Sequence, residues 1–168
     1  CDVYFYNVAE KVGIDRIANM ARRFGLGQAY NISLPQESDG IVPDKKWKRG
    51  QFGTEWHLGE TINATIGQGY ILTTPLQLAV MTSRLCNGGY AVEPWIVAHD
   101  GIYHARKRQQ RWPRINIDPK FLNIVNRGME LVMLGEDGTA KASAIHTKEQ
   151  AMAGKTGTAQ VRRITMEE

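Results

Sequence analysis

The residues with the clearest chemical potential lie near the end of the chain, in Gly154-Lys155-Thr156-Gly157-Thr158-Ala159-Gln160. Small side chains on an extended segment leave the backbone open to close approach by a ligand. A lysine followed by hydroxyls one and three positions later places a cation and two hydrogen-bond donors beside that backbone. Together these groups suit recognition of a carboxylate, which binds most strongly through charge-assisted hydrogen bonds. Gly-Lys-Thr also closes a phosphate-binding loop, but that motif requires glycine at position 149, where this chain has Glu149. The segment is not glycine-rich and does not open an apolar helix, which argues against a nucleotide site.

A nucleophile to accompany this strand is not evident. Ser33, Ser38, Ser83 and Ser143 are followed three residues later by Gln36, Ile41, Cys86 and His146, so none has the lysine that would activate a serine on a helix. There is no Gly-x-Ser-x-Gly elbow. His57, His99, His104 and His146 lack zinc-binding spacing and read as surface or hydrogen-bonded core histidines. Acidic residues such as Asp100 and Glu136-Asp137 sit in turn contexts. The residues therefore describe a ligand-recognition strand without a visible nucleophile.

The elements that must hold this strand follow from periodicity. Apolar residues at helical spacing (Val3, Tyr6, Val8 and Val12, then Ile17, Met20, Ala21 and Phe24) predict two short helices over 2–24, broken at Gly13, the second capped by Asp15 and stopped at Gly25. Residues 26–72 carry many glycines and prolines with little periodicity, and read as a long irregular connection anchored by Trp47 and Trp56. Thr74-Pro75-Leu76-Gln77 is a helix start: Thr74 as N-cap, Pro75 at the first helical position, Gln77 closing a capping box. Leu78, Ala79, Thr82, Leu85 and Cys86 form its predicted buried stripe, and Asn87-Gly88-Gly89 ends it. Residues 91–98 resemble a strand that Pro94 confines to an edge or bulge. Asp118-Pro119 opens a further helix with Leu122, Val125, Met129 and Val132 on one face, ending at Gly135. After a turn through Asp137-Gly138-Thr139, residues 151–161 read as a strand. The expected fold is a single α/β (α+β) unit with helices packed on a mainly antiparallel sheet.

Bulk properties agree with a globular domain. The chain has 168 residues, 42% hydrophobic and 23% charged, enough for one core and too apolar for wholesale disorder. Its net charge of +4 is mild, and most of the excess lies in Arg106-Lys107-Arg108-Gln109-Gln110-Arg111. That run reads as a solvated loop and not a nucleic-acid surface, since no aromatic platform or binding motif accompanies it. Cys1 and Cys86 give no CxxC pair and no disulfide framework. No apolar stretch is long enough to span a bilayer. A start without methionine, in residues already patterned as structured, reads as a piece of a longer protein.

Three segments in order resemble one family. Cys1-Asp2-Val3-Tyr4-Phe5-Tyr6 looks like the end of a Ser-x-Asp/Asn motif and the helix after it. Gly67-Gln68-Gly69-Tyr70 precedes Thr73-Thr74-Pro75-Leu76-Gln77-Leu78-Ala79, and Gly138-Thr139-Ala140 leads to Lys155-Thr156-Gly157-Thr158-Ala159-Gln160. Their order and spacing resemble the class B penicillin-binding proteins, D,D-transpeptidases that cross-link peptidoglycan. Asp2 with the aromatic residues after it resembles the elongation-type, cell-shape branch, where septal members carry asparagine.

The resemblance implies a penicillin-binding, transpeptidase-like fold, incomplete here: residues 1–168 would run from the second motif to the Lys-Thr-Gly strand, with the pedestal and membrane anchor absent. It implies a serine enzyme acylated by a stem peptide ending in D-Ala-D-Ala, and by β-lactams that mimic it, before an amine of a neighbouring strand attacks the acyl-enzyme. Asp2 would belong to the proton-relaying network and Lys155 would set the electrostatics of the cleft. Thr156, Gly157 and Thr158 would line the substrate, the threonines holding its carboxylate. The Thr158 N–H would supply half of an oxyanion hole worth about 3 kcal/mol. Gly67-Gln68-Gly69 would be backbone architecture behind the cleft. Further implied partners are membrane proteins of the elongation complex, at the periplasmic face of the bacterial inner membrane; no nucleic acid and no cofactor are implied. Relatives place a zinc-ligating cysteine at the position of Cys1, with its partner ligands upstream, so Cys1 is a weak zinc candidate in a longer protein and a small buried side chain here. Without the Ser-x-x-Lys serine, this chain alone is expected to be inactive. A penicillin-sensing receptor domain, a non-catalytic transpeptidase-like binding domain and a class D β-lactamase remain alternatives. The Gly-Gln-Gly-Tyr and Thr-Pro-Leu-Gln segments favour the transpeptidases over the sensors, and the long 26–72 region weighs against the β-lactamase.

Overall fold

The computed structural model describes residues 2–32, 35–94, 112–145 and 147–159. They form six α-helices: α1 (Asp2–Val12), α2 (Ile14–Arg23), α3 (Lys45–Phe52), α4 (Leu58–Thr65), α5 (Pro75–Cys86) and α6 (Pro119–Leu134), followed by short 3₁₀ turns at Lys141–Ser143 and Lys148–Gln150. The chain divides into two compact units, Cys1–Ile117 and Asp118–Glu168, each described in its own terms.

The expected mainly antiparallel sheet is not found. Among the described residues, β pairing consists of two isolated antiparallel bridges, Ile41 with Leu72 and Tyr90 with Arg114. The two segments read as strands show why. Residues 91–94 pair briefly, through the Ala91 N–H to the Pro113 carbonyl at 2.8 Å, and then meet Pro94, which has no N–H for a ladder; the rest of that segment lies outside the described residues. Residues 151–159 are irregular, and the bond there that reaches another element runs from Gly154 to a helix carbonyl. An extended segment becomes a strand only against a partner edge, and small residues add little of the side-chain packing that stabilises pairing.

In the first unit, α1 packs on α4 and α2. Ala9, Ile14, Ala18, Val42, Ala64, Val80 and Ile115 are buried. The break between α1 and α2 falls at Gly13, as the periodicity predicts. Gly13 itself, not Asp15, occupies the N-cap; Asp15 accepts the Lys45 N–H at 3.2 Å instead. The region 26–72 is less irregular than its composition suggests, because it contains α3 and α4. Asp44 caps α3 by accepting the Trp47 N–H at 2.7 Å, and Glu60 reaches back from the first turn of α4 to the His57 N–H at 2.7 Å. Trp47 and Trp56 are anchors as expected: both are half-buried, in an aromatic cluster with Tyr70 and Phe52.

Helix α5 starts as its sequence predicts, with the reciprocal Thr74–Gln77 capping box and Pro75 at its first position. Its buried face differs from the apolar stripe. Gln77, Val80 and Arg84 are buried, whereas Leu78, Ala79, Thr82 and Cys86 are exposed. Polar side chains have taken the inward positions because each reaches backbone carbonyls that would otherwise lack partners. Gln77 Nε2 donates to the carbonyls of Gln28 (2.9 Å) and Asp39 (2.8 Å), and Arg84 donates to those of Arg23 and Val92 (3.0–3.2 Å).

The second unit is built on α6, capped by Asp118 and closed at Gly135 as predicted. Leu122 and Met133 are buried and Met129 and Val132 half-buried, but Val125 is exposed.

Candidate active site

Each proposed site residue belongs to a definable local structure. Asp2 sits exposed in the first turn of α1, where the helix dipole favours a carboxylate. Beyond it Tyr4 and Phe5 stack edge-to-face, ring centroids 5.3 Å apart, and both are exposed. Cys1 lies outside the described residues, as do Gln160, His146 and the 106–111 basic run.

Lys155, Thr156, Gly157 and Thr158 lie together on the exposed stretch 151–159 of the second unit. The Lys155 ammonium folds back on its neighbour, donating to the Thr156 carbonyl at 2.7 Å and lying 3.4 Å from its hydroxyl. A methyl group built on Gly157 would meet nothing within 4 Å, so the backbone there is open to approach. Among the described residues, one backbone bond ties the segment to its support: the half-buried Gly154 donates its N–H to the Met129 carbonyl of α6 at 3.1 Å. The arrangement presents a cation, two hydroxyls and an accessible backbone to a ligand from outside.

The Gly138-Thr139-Ala140 turn docks on the same helix, the Ala140 N–H bonding the Val132 carbonyl at 3.0 Å. At Gly138 a Cβ would stand 2.6, 2.8 and 3.1 Å from the carbonyl oxygens of Val132, Leu131 and Gly135, the first two closer than real Cβ atoms come. In the first unit Gly67 and Gly69 adopt φ of 79° and 77°, the left-handed region that favours glycine, which fits a backbone role for Gly67-Gln68-Gly69.

The strongest electrostatic feature of the first unit escaped the sequence reading. Lys48, 5% exposed, pairs with Glu60 at 2.5 Å, and its ammonium is 6.0 Å from the centre of the Trp56 ring. Burial pushes the Glu60 carboxyl up, but the His57 N–H and the Lys48 ammonium outweigh it and hold the group below its usual range. Asp44 is held low in the same way: burial raises it, while the Trp47 N–H and the Arg22 guanidinium at 2.7 Å lower it further. A glutamate three residues after the cap position at His57 was the available signal for Glu60. The Met129 carbonyl had none, since a backbone acceptor leaves no mark in side-chain patterning. Among the described residues, no three His, Cys, Asp or Glu side chains group as a metal site would require, and no helix is long and apolar enough to cross a membrane.

This chain belongs to the penicillin-binding protein transpeptidase domain family, whose model matches residues 1–164. Within the family it is similar to the peptidoglycan D,D-transpeptidase MrdA of Acinetobacter baumannii, 38% identical over 98% of this chain, and to MrdA of Haemophilus influenzae, 37% identical over 95%. Among solved structures it resembles Pseudomonas aeruginosa PBP2 in complex with WCK 5153, with a TM-score of 0.80 and 38% identity over 96% of this chain and 37% of that one. It likewise resembles Helicobacter pylori PBP2 solved with MreC, with a TM-score of 0.79 and 34% identity over 95% of this chain and 29% of that one. The chain spans about a quarter (24% and 25%) of the length of the two curated relatives.

Proposed function

We propose that this chain is part of a serine D,D-transpeptidase that cross-links peptidoglycan stem peptides and is acylated by β-lactams. The observation that carries the reading is the open Lys155-Thr156-Gly157-Thr158 stretch, exposed and carrying carboxylate-binding groups, in a chain of this family. A serine outside this sequence attacks the carbonyl of the penultimate D-alanine, expelling the terminal D-alanine, and an acceptor amine then displaces the serine. Thr156 and Thr158 hold the substrate carboxylate, and Lys155 supplies a positive field. The Thr158 N–H donates to the oxyanion in the tetrahedral transition state. Asp2 belongs to the hydrogen-bonded network that moves protons on and off the serine. Residues 1–168 form part of one transpeptidase domain, and the parent acts from a membrane anchor in the periplasm, in cell elongation and shape. The Helicobacter pylori relative is solved with MreC, which supports a partner of that kind for the parent.

Fluorescent penicillin tests the reading when applied to this chain and to the same chain extended upstream through its Ser-x-x-Lys segment. Covalent labelling of the extended chain alone is expected, because no serine here is followed by lysine at the third position. Labelling of neither moves the assignment to a non-catalytic binding domain. Labelling of the short chain would reveal a nucleophile outside that motif.

A further inference from the structure

The ligand-binding stretch is exposed on all four of its key residues, yet an extended segment catalyses acyl transfer only if its backbone is fixed. A misplacement of about 1 Å at a reacting group can cost about a hundredfold in rate. What fixes it lies one residue upstream. Gly154 donates its N–H to the Met129 carbonyl at 3.1 Å, and a methyl group built on Gly154 would stand 3.8 Å from Met133 Sδ. Met133 is 5% exposed, which with Leu122 makes it one of two fully buried apolar side chains in this unit among the described residues. Met129 and Met133 are four positions apart, so they sit one above the other on one face of α6. Three residues further along, the Val132 carbonyl receives the Ala140 N–H, and Gly138 is packed against the Leu131 and Val132 carbonyls too tightly for a Cβ. Two separate chain segments thus dock on a single stretch of helix, and Met133 is the side chain beside the one that leads into Lys155.

We infer that Met133 is a positioning residue, holding Gly154 against the Met129 carbonyl and thereby fixing Lys155–Thr158 in place to bind the substrate as it is attacked. The inference rests on the transpeptidase reading for its consequence in catalysis, and on the nearness of Met133 to Gly154 for its consequence in structure. A thioether suits the place, because it is unbranched and adapts to the irregular space beside a glycine. Met133 does not touch substrate; it acts through the Gly154 backbone. Removing it should lower the rate at saturating substrate more than the apparent affinity, since the threonine hydroxyls and lysine remain while their alignment is lost.

The test compares four forms of the full-length transpeptidase carrying this chain: wild type, Met133→Ala, Met133→Leu and Leu122→Ala. Leu122 is equally buried on the same helix, at 3% exposure, and controls for general loosening of α6. Two quantities are read: the limiting acylation rate with fluorescent penicillin, separated from its half-saturating concentration, and amide exchange across residues 154–158. Met133→Ala should slow limiting acylation about tenfold and speed exchange across that stretch by a similar factor. Leucine of similar volume should restore both to within about twofold, and Leu122→Ala, corrected for folded fraction, should leave both near wild type. Equal effects from Met133→Ala and Leu122→Ala would overturn the inference, as would wild-type behaviour of Met133→Ala. If Met133→Ala does not fold, Met133→Val is read by the same criteria with a smaller expected effect. If even the wild type takes no label, the transpeptidase reading fails, and the exchange data still decide the anchor: faster only in Met133→Ala keeps it, unchanged removes it.

Discussion

In the first unit, the polar side chains that matter most are hidden. Lys48, Gln77 and Arg84 are 5%, 1% and 6% exposed, and each is spent on a partner inside the protein: a carboxylate for Lys48, backbone carbonyls for the other two. In the second unit, Lys155, Thr156 and Thr158 are exposed, and among the described residues the lysine bonds no further than the next residue. Polar hydrogen-bonding groups, an ammonium among them in each unit, therefore serve opposite ends. Buried and fully bonded, they fix an architecture; exposed on a thinly tethered segment, they stay available to a ligand. A chain that needs both must keep them apart in sequence.

The comparison breaks first, and hardest, at the buried ion pair. Glu60→Ala strips the carboxylate from an ammonium that is 6% exposed at the side chain, and should cost about 3–5 kcal/mol in a denaturant or thermal melt. The pH dependence carries the same signature. A carboxyl whose folded value is depressed stabilises the fold fully above its unfolded value, and that contribution is lost as pH falls through the lower folded value. Glu60 and Asp44 are both held low, so the melting temperature should hold at neutral pH and fall in acid below the ordinary carboxylate range. Glu60→Gln should flatten that fall; an unchanged acid slope would remove the pair from the account.

Gln77→Ala comes next. It deletes a buried side chain that bonds the Gln28 and Asp39 carbonyls and the Thr74 N–H, removing a partner from part-buried backbone groups, at about 1–3 kcal/mol in the same melt. A loss below about 0.5 kcal/mol would mean that water replaces the amide without cost. Smaller still is Thr74→Ala, which removes one cap bond and should cost about 1 kcal/mol.

These sites also mark what the sequence could and could not disclose. Helix starts were legible because their rules are local: Thr74-Pro75-x-Gln77 and Asp118-Pro119 need nothing beyond their own turn. The inward face of α5 was not, because apolar periodicity cannot score a glutamine and an arginine that are buried for their hydrogen bonds. The sheet was misjudged for a related reason. Pairing depends on an edge supplied from elsewhere in the chain: among the described residues 91–94 meets one only at Ala91, whose N–H reaches the Pro113 carbonyl, and 151–159 shows no strand pairing. Lys155, Thr156 and Thr158 were legible as chemistry because small and polar residues together have no packing purpose. Their anchor at Met129 was silent, being a carbonyl.

The smallest expected effect on stability sharpens the comparison most. Lys155→Ala removes an exposed ammonium whose bonds, among the described residues, run to the adjacent Thr156 alone, so nothing buried there loses a partner. Surface changes of this kind stay within about 0.5 kcal/mol, and the melting curve should overlay the wild type. Labelling of the full-length protein by fluorescent penicillin should nevertheless fall steeply if Lys155 acts as proposed, by supplying a positive field at the substrate carboxylate. A variant equal in stability and poor in acylation is what a ligand-directed lysine requires. A drop in stability comparable to that of Gln77→Ala would instead place Lys155 with the first unit's buried polar residues, as a structural group whose exposure misleads.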